Sequence, residues 1–116
     1  MKKIILLIII LIFLTGCGII PDNGGFIALV KELNTPQKTA TYMWLNFVYE
    51  YQPYEVKTPY QLYLCEKGDC NDFSNYGTYI AHCNGYEVWQ IKVKYKDYKI
   101  NHWLAIYLEG DFYTYR

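Results

Sequence analysis

The chain of 116 residues has 11 Lys plus Arg against 11 Asp plus Glu, so it carries no net charge, and the absence of a basic cluster argues against a nucleic-acid or other polyanionic partner. Its length suits one small domain with a single core. Tyrosine is abundant, 14 residues, but tyrosine covers half-buried strand faces and lines binding grooves equally well, so this count does not separate core from ligand site.

Residues 1–16 read as a targeting segment. Lys2 and Lys3 give a positive start, and residues 4–14 form an unbroken apolar run too short to span a bilayer. The run ends in Leu14, Thr15, Gly16 and Cys17, which resembles the lipobox of bacterial lipoproteins. That resemblance implies removal of residues 1–16 and acylation of Cys17. The bacterial membrane then becomes a partner, and the protein is lipid-anchored in the cell envelope, facing the extracytoplasmic side. Stable attachment takes more than one acyl chain, because each buried CH₂ contributes only about 0.8 kcal/mol. Residues 17–34 are then anchor and tether, and residues 35–116 the domain. Within the tether, residues 21–25 hold Pro21, Asn23, Gly24 and Gly25, which defeat helix and strand alike. Residues 26–33 are apolar and of undecided type.

Thr35 followed by Pro36 is a helix start, a hydroxyl cap with a proline where its missing N–H costs nothing. Ala40, Met43, Trp44, Phe47, Val48 and Tyr51 then recur at helical spacing, a core stripe that Pro53 stops. Thr58, Pro59 and Gln61 repeat the start signal with a capping box, and this second helix runs through Cys65 to a left-handed stop at Gly68. Asp69 caps a third helix, with Asp72 adding negative charge near its positive end. Along it Cys70, Phe73, Ser74, Gly77 and Ala81 share a mostly small face that a sheet can approach closely. Asn84 and Gly85 end it.

After Gly85 the period changes from helical to alternating. Trp89, Ile91 and Val93 alternate with Val88, Gln90 and Lys92, a strand with one apolar and one more polar face. Residues 96–99 are a turn, residues 100–108 a second strand, and residues 109–111 a turn into a third, residues 112–116. Three helices followed by an antiparallel meander make the class α+β.

The first helical residue, Cys70, lies in the positive end of its helix field, which favours thiolate. The plain alternative is a small apolar residue in an ordinary first turn. Closing the hairpin at residues 96–99 sets Val93 opposite His102, Ile91 opposite Leu104 and Trp89 opposite Ile106. His102 thus shares the stronger apolar face, expected to pack on the third helix. There an imidazole can take the thiol proton. With Cys17 assigned to lipid, Cys65, Cys70 and Cys83 remain, an odd number that leaves at least one thiol unpaired. A Cys65 to Cys70 bridge would block the proposed nucleophile, and Cys65 and Cys83 are expected as buried thiols. A zinc site from Cys65, Cys70, His82, Cys83 and His102 matches none of the usual paired spacings, so no metal or cofactor is expected.

Gly68, Asp69, Cys70, Asp72 and Phe73, with His102 opening a strand that leads to Gly110 and Phe112, resemble the transglutaminase-like, papain-type cysteine hydrolases. The resemblance covers roughly residues 35–116. It implies a papain-like core of three helices on a small meander, Cys70 as nucleophile, His102 as base, and a thioester formed from an amide or peptide bond of a peptide or protein substrate. The family's third member, an Asp or Asn on the next strand, would fall near 117–119, past Arg116. Losing such an orienting group costs on the order of 10⁴ in rate. The alternative is therefore a degenerate surface lipoprotein that binds or excludes without turnover.

Overall fold

The computed structural model describes residues 23–99, 101–109 and 112–115, with side chains for 24–99 and 101–108. The targeting segment, Cys17, Ile100, the turn at Gly110 and Asp111, and Arg116 lie outside the described residues.

The order is α1 (Asn23–Glu32), α2 (Pro36–Asn46), β1 (Val48–Tyr49), α3 (Pro59–Cys65), β2 (Lys67–Gly68), α4 (Cys70–Cys83), β3 (Val88–Lys94), β4 (Asn101–Glu109) and β5 (Phe112–Tyr115). Helix and strand mix as an α+β protein, with one helix and one small sheet more than the sequence suggests. The extra helix is α1. Gly24 and Gly25 weaken it locally, but Phe26 and Leu33 are buried and Phe26 packs on Tyr60, Tyr63, Tyr76 and Tyr79, so tertiary packing overrides propensity. Gly25 serves that packing, since a Cβ there would stand 3.0 Å from the Tyr63 hydroxyl. Packed structure therefore already includes residues 23–33, inside the stretch read as tether.

Helix α2 starts as its cap dictates, with the Thr35 hydroxyl accepting from the Lys38 N–H. It ends at Asn46, earlier than the apolar stripe implies. Phe47 is buried, but residues 48–50 turn extended: the Val48 N–H donates to the Glu66 carbonyl and the Glu50 N–H to the Gly68 carbonyl, both at 2.8 Å. This pairing makes β1 and β2 a parallel two-stranded sheet. It takes Val48 and Tyr51 off the helical stripe and leaves both exposed; Trp44, within α2, is exposed as well.

Thr58 and Gln61 form the expected capping box at α3. The left-handed residue that ends α3 is Glu66, with φ 58°, and Gly68 has a different task. A Cβ on Gly68 would lie 2.8 Å from the Asp72 Cβ and 2.9 Å from the Leu62 Cδ1, so only glycine lets β2 run over the start of α4.

Helix α4 lies between the other helices and the meander. Tyr76 and Ile80 bury into the helical cluster of Phe26, Leu33, Phe47 and Leu62; Phe73 packs on Phe47 and belongs to this side too. The opposite side of α4 meets the meander through Ser74, Gly77 and Ala81, as small residues permit. At the far end the Asn84 amide donates to the Val30, Leu33 and Ile80 carbonyls, tying α1 to α4.

The meander has strand order β3-β4-β5, antiparallel throughout. Val93 pairs with His102, Ile91 with Leu104 and Trp89 with Ile106, the register the turn length requires. The face that packs on α4 is the other one. Ala105 and Tyr107 are buried against Ala81 and Gly77, and Gln90 donates from one amide nitrogen to the Ser74 hydroxyl at 2.7 Å and the Asn71 side-chain oxygen at 3.2 Å. Trp89 and Ile91 are each 40% exposed on the outer face.

Candidate functional site around Cys70

The first turn of α4 is fixed by two carboxylates. Asp69 caps it, one of its oxygens accepting from the N–H groups of Asn71 and Asp72 at 3.0 and 3.2 Å. Asp72 reaches back to the Asp69 N–H at 3.1 Å and accepts the Lys57 N–H at 2.7 Å, while the Lys57 Nζ stands 3.7 Å from its second oxygen. Asn75 adds a bond to the Lys57 carbonyl at 3.2 Å. The loop before α3 is thereby fastened to the start of α4. These same carboxylates oppose the positive field of the helix end in which Cys70 sits.

Cys70 is the first residue of α4, half-buried and a free thiol, so no bridge to Cys65 blocks it. Its Sγ–H donates to the Asn101 carbonyl at 3.9 Å, a weak contact to the β4 backbone. Two adjacent cavities open on this sulfur. The larger, about 640 Å³, runs between the helical part and the meander: Ala40, Met43, Trp44 and Phe47 form one wall, Cys70, Phe73, Ser74 and Gly77 the floor, and β4 from His102 to Ala105, with Tyr107, the other wall. The smaller, about 360 Å³, lies at the hairpin end of the sheet and is bordered by Tyr49, Cys70, Tyr95, Tyr98, Asn101 and His102.

Cys70 and His102 thus border the same two cavities. They are not joined: among the described residues no hydrogen bond links the thiol to the ring. The reason is the face reversal. Strand side chains alternate, so with Ala105 and Tyr107 turned to α4, His102 falls on the outer face with Leu104 and Ile106, and it is exposed.

Sequence reasoning missed Tyr49, which sits in β1 and lines both cavities beside Cys70. Loss of solvent around its ring raises its pKa, and the neighbouring Cys70 and Asp69 raise it further, so the phenol keeps its O–H through the neutral range as a hydrogen-bond donor. The signal was available in the valine and tyrosine of residues 48–49, which favour strand over helix. Trp103 was missed as a cavity wall for the same reason that His102 was misplaced.

The other candidates lie elsewhere. His82 and Cys83 are exposed in the last turn of α4, about 20 Å along the helix from Cys70. Cys83 is therefore an exposed thiol rather than a buried one, and it hydrogen-bonds Tyr79, whose pKa it raises. Cys65, at the end of α3, is half-buried and disulfide-bonded rather than a buried thiol. No protein-family model, curated protein or solved structure compared with the chain matches it.

Proposed function

We propose that the chain is a lipid-anchored protein of the bacterial envelope with a transglutaminase-like, papain-type core, in which Cys70 attacks an amide or peptide carbonyl held in the groove. The observation that supports this is the place of the sulfur: a free thiol in the first turn of the helix that backs an antiparallel sheet, opening on both cavities. In the first step a bond forms from Sγ to the carbonyl carbon and the carbon–nitrogen bond breaks. The thiol proton passes by way of His102 to the leaving amine. Water or a second amine then takes the acyl group and restores the thiol. A substrate in the smaller cavity touches both sulfur and imidazole, which is how two groups on different sides of β4 would act together. Tyr49, which lines both cavities with Cys70, would supply a side-chain donor to the oxyanion, since the Asn71 and Asp72 N–H groups already donate to Asp69.

The second reading is a surface lipoprotein that binds without turnover. It is favoured by the thiol's contact with the Asn101 carbonyl in place of the ring. Iodoacetamide separates the two, with exposed Cys83 as the internal standard. An enzyme alkylates at Cys70 faster than at Cys83, and His102→Ala removes the difference. Equal rates, indifferent to His102, refute the enzyme and support the binding module.

The anchor has its own test. Intact mass shows the acyl chains directly. A protein of unacylated mass with residues 1–16 still attached refutes the anchor and leaves the groove untouched.

A further inference from the structure

We propose that the larger groove is an acyl-chain site filled from the bilayer on which the domain is tethered. This deepens the reading of the same site by naming the acyl half of its substrate, a long-chain acid carried as an amide or ester, and it does not require Cys70 to be a nucleophile.

The chemistry of the walls selects the ligand. Among the described residues, none that lines the groove is Asp, Glu, Lys or Arg, and most are aliphatic or aromatic. Its hydroxyl from Ser74 is already spent, donating to the Asn71 carbonyl at 3.0 Å and accepting from Gln90 at 2.7 Å. A peptide laid along such a channel brings a backbone N–H and C=O with every residue, and burying those without partners is costly. An alkyl chain brings neither. It gains instead from apolar burial, about 25 cal/mol per Å².

The mouth of the groove fits the same source. Trp44, Val48 and Tyr49 line it and are 86%, 59% and 58% exposed, a cluster of large apolar side chains that water does not favour. Trp and Tyr at such a rim match the headgroup level of a bilayer, where an apolar ring and a polar edge are both satisfied. Only residues 18–22 separate Cys17 from the start of α1, so an anchored Cys17 keeps the domain within roughly 20 Å of the lipid. At that range the ligand in greatest supply is lipid.

The test uses tryptophan emission from the full chain reconstituted in phosphatidylcholine vesicles whose acyl chains carry bromine, a contact quencher. One variant, Trp44→Phe with Trp89→Phe, keeps Trp103 in the groove wall. The other, Trp44→Phe with Trp103→Phe, keeps Trp89 on the outer sheet face. The expected result is that Trp103 loses most of its emission and Trp89 keeps most of its own. Equal quenching of the two signifies general adsorption and overturns the proposal, as does a Trp103 that is not quenched. Flotation of the vesicles reports the anchor separately. If the chain does not float, a free brominated long-chain fatty acid replaces the vesicle, and the same comparison of Trp103 with Trp89 decides.

Discussion

Asp72 is the residue whose removal costs most at this site. It is 1% exposed and holds three things at once: the Asp69 N–H, the Lys57 N–H and the Lys57 ammonium. Asp72→Ala strands two buried N–H groups and leaves a lysine whose side chain is 11% exposed without its counterion. Hydrogen bonds to a charged acceptor contribute about 1.5–3 kcal/mol each, and breaking a buried pair costs about 3–5 kcal/mol, so the expected loss is about 3–5 kcal/mol. That is a large share of the roughly 5–15 kcal/mol that holds a domain together. Asp72→Asn keeps the shape and one acceptor oxygen but sets its amide against an N–H, for a loss of about 2 kcal/mol. Urea unfolding followed by tryptophan emission measures both, and at a slope of about 1–3 kcal/mol per molar the Asn variant moves the midpoint down by about 1 M. Gly68→Ala attacks the same junction from the other side, since its Cβ would sit 2.8 Å from an Asp72 side chain that its bonds hold in place. The double variant should therefore lose less than the sum of the two. An Asp72→Asn protein with an unchanged midpoint would refute the carboxylate's role and, with it, the account of how Cys70 is positioned.

Two further outcomes follow from packing around α4. Gly77→Ala puts a Cβ 2.7 Å from the Tyr107 hydroxyl, so it should destabilise by about 1–3 kcal/mol; the same urea midpoint checks it, and pairing it with Tyr107→Phe should recover part of the loss. Tyr76 is fully buried, and its hydroxyl has no hydrogen-bond partner among the described residues, so Tyr76→Phe should raise stability by about 1 kcal/mol at neutral pH. Burial, then the nearby Tyr42 and Tyr63, raise the Tyr76 pKa above its ordinary 10.0. The unfolded chain therefore gives up this proton first. Stability is intact below about pH 10 and falls as pH rises past it, and Tyr76→Phe flattens that alkaline limb. A Tyr76→Phe protein that is weaker at neutral pH would mean that the hydroxyl is satisfied after all.

The elements that the sequence announced best are those with a local cause. Thr35 with Pro36, Thr58 with Gln61 and Asp69 with Asp72 are caps whose hydrogen bonds involve neighbours within three residues, and each starts a helix where it should. The hairpin register was legible for a similar reason, because the length of one turn fixes every pair after it. What could not be read depends on distant partners. Phe26 makes a helix of a glycine-rich stretch by docking among tyrosines of α3 and α4, and Val48 leaves its helix because residues 66–68 offer it a strand. Glu66 in the left-handed region, where glycine was expected two residues later, follows from Gly68 being needed for close approach.

The choice of sheet face decides what Cys70 can do, and counting apolar residues gets it wrong. Trp89, Ile91, Val93, Leu104 and Ile106 form the more hydrophobic set, but α4 offers them Ser74, Gly77 and Ala81. A helix with so little side chain comes close to a sheet only where the sheet is also low, at Ala105, or where one ring can lie across a glycine, as Tyr107 does on Gly77. The polar Gln90 on that face costs little because Ser74 and Asn71 accept its two N–H bonds. Periodicity therefore fixes that side chains alternate, and the partner's volume fixes which half turns inward. Once Ala105 is inward, His102 is outward. What meets the sulfur directly is the carbonyl of Asn101. Cys70 and His102 border both cavities, and the smaller one, with Tyr49, Tyr95 and Tyr98, is where the chemistry proposed above would join them. If so, Tyr98→Trp, which adds bulk at the border of the smaller cavity and not of the larger groove, should slow His102-dependent alkylation of Cys70. Alkylation that remains fast and still responds to His102 would place the route elsewhere.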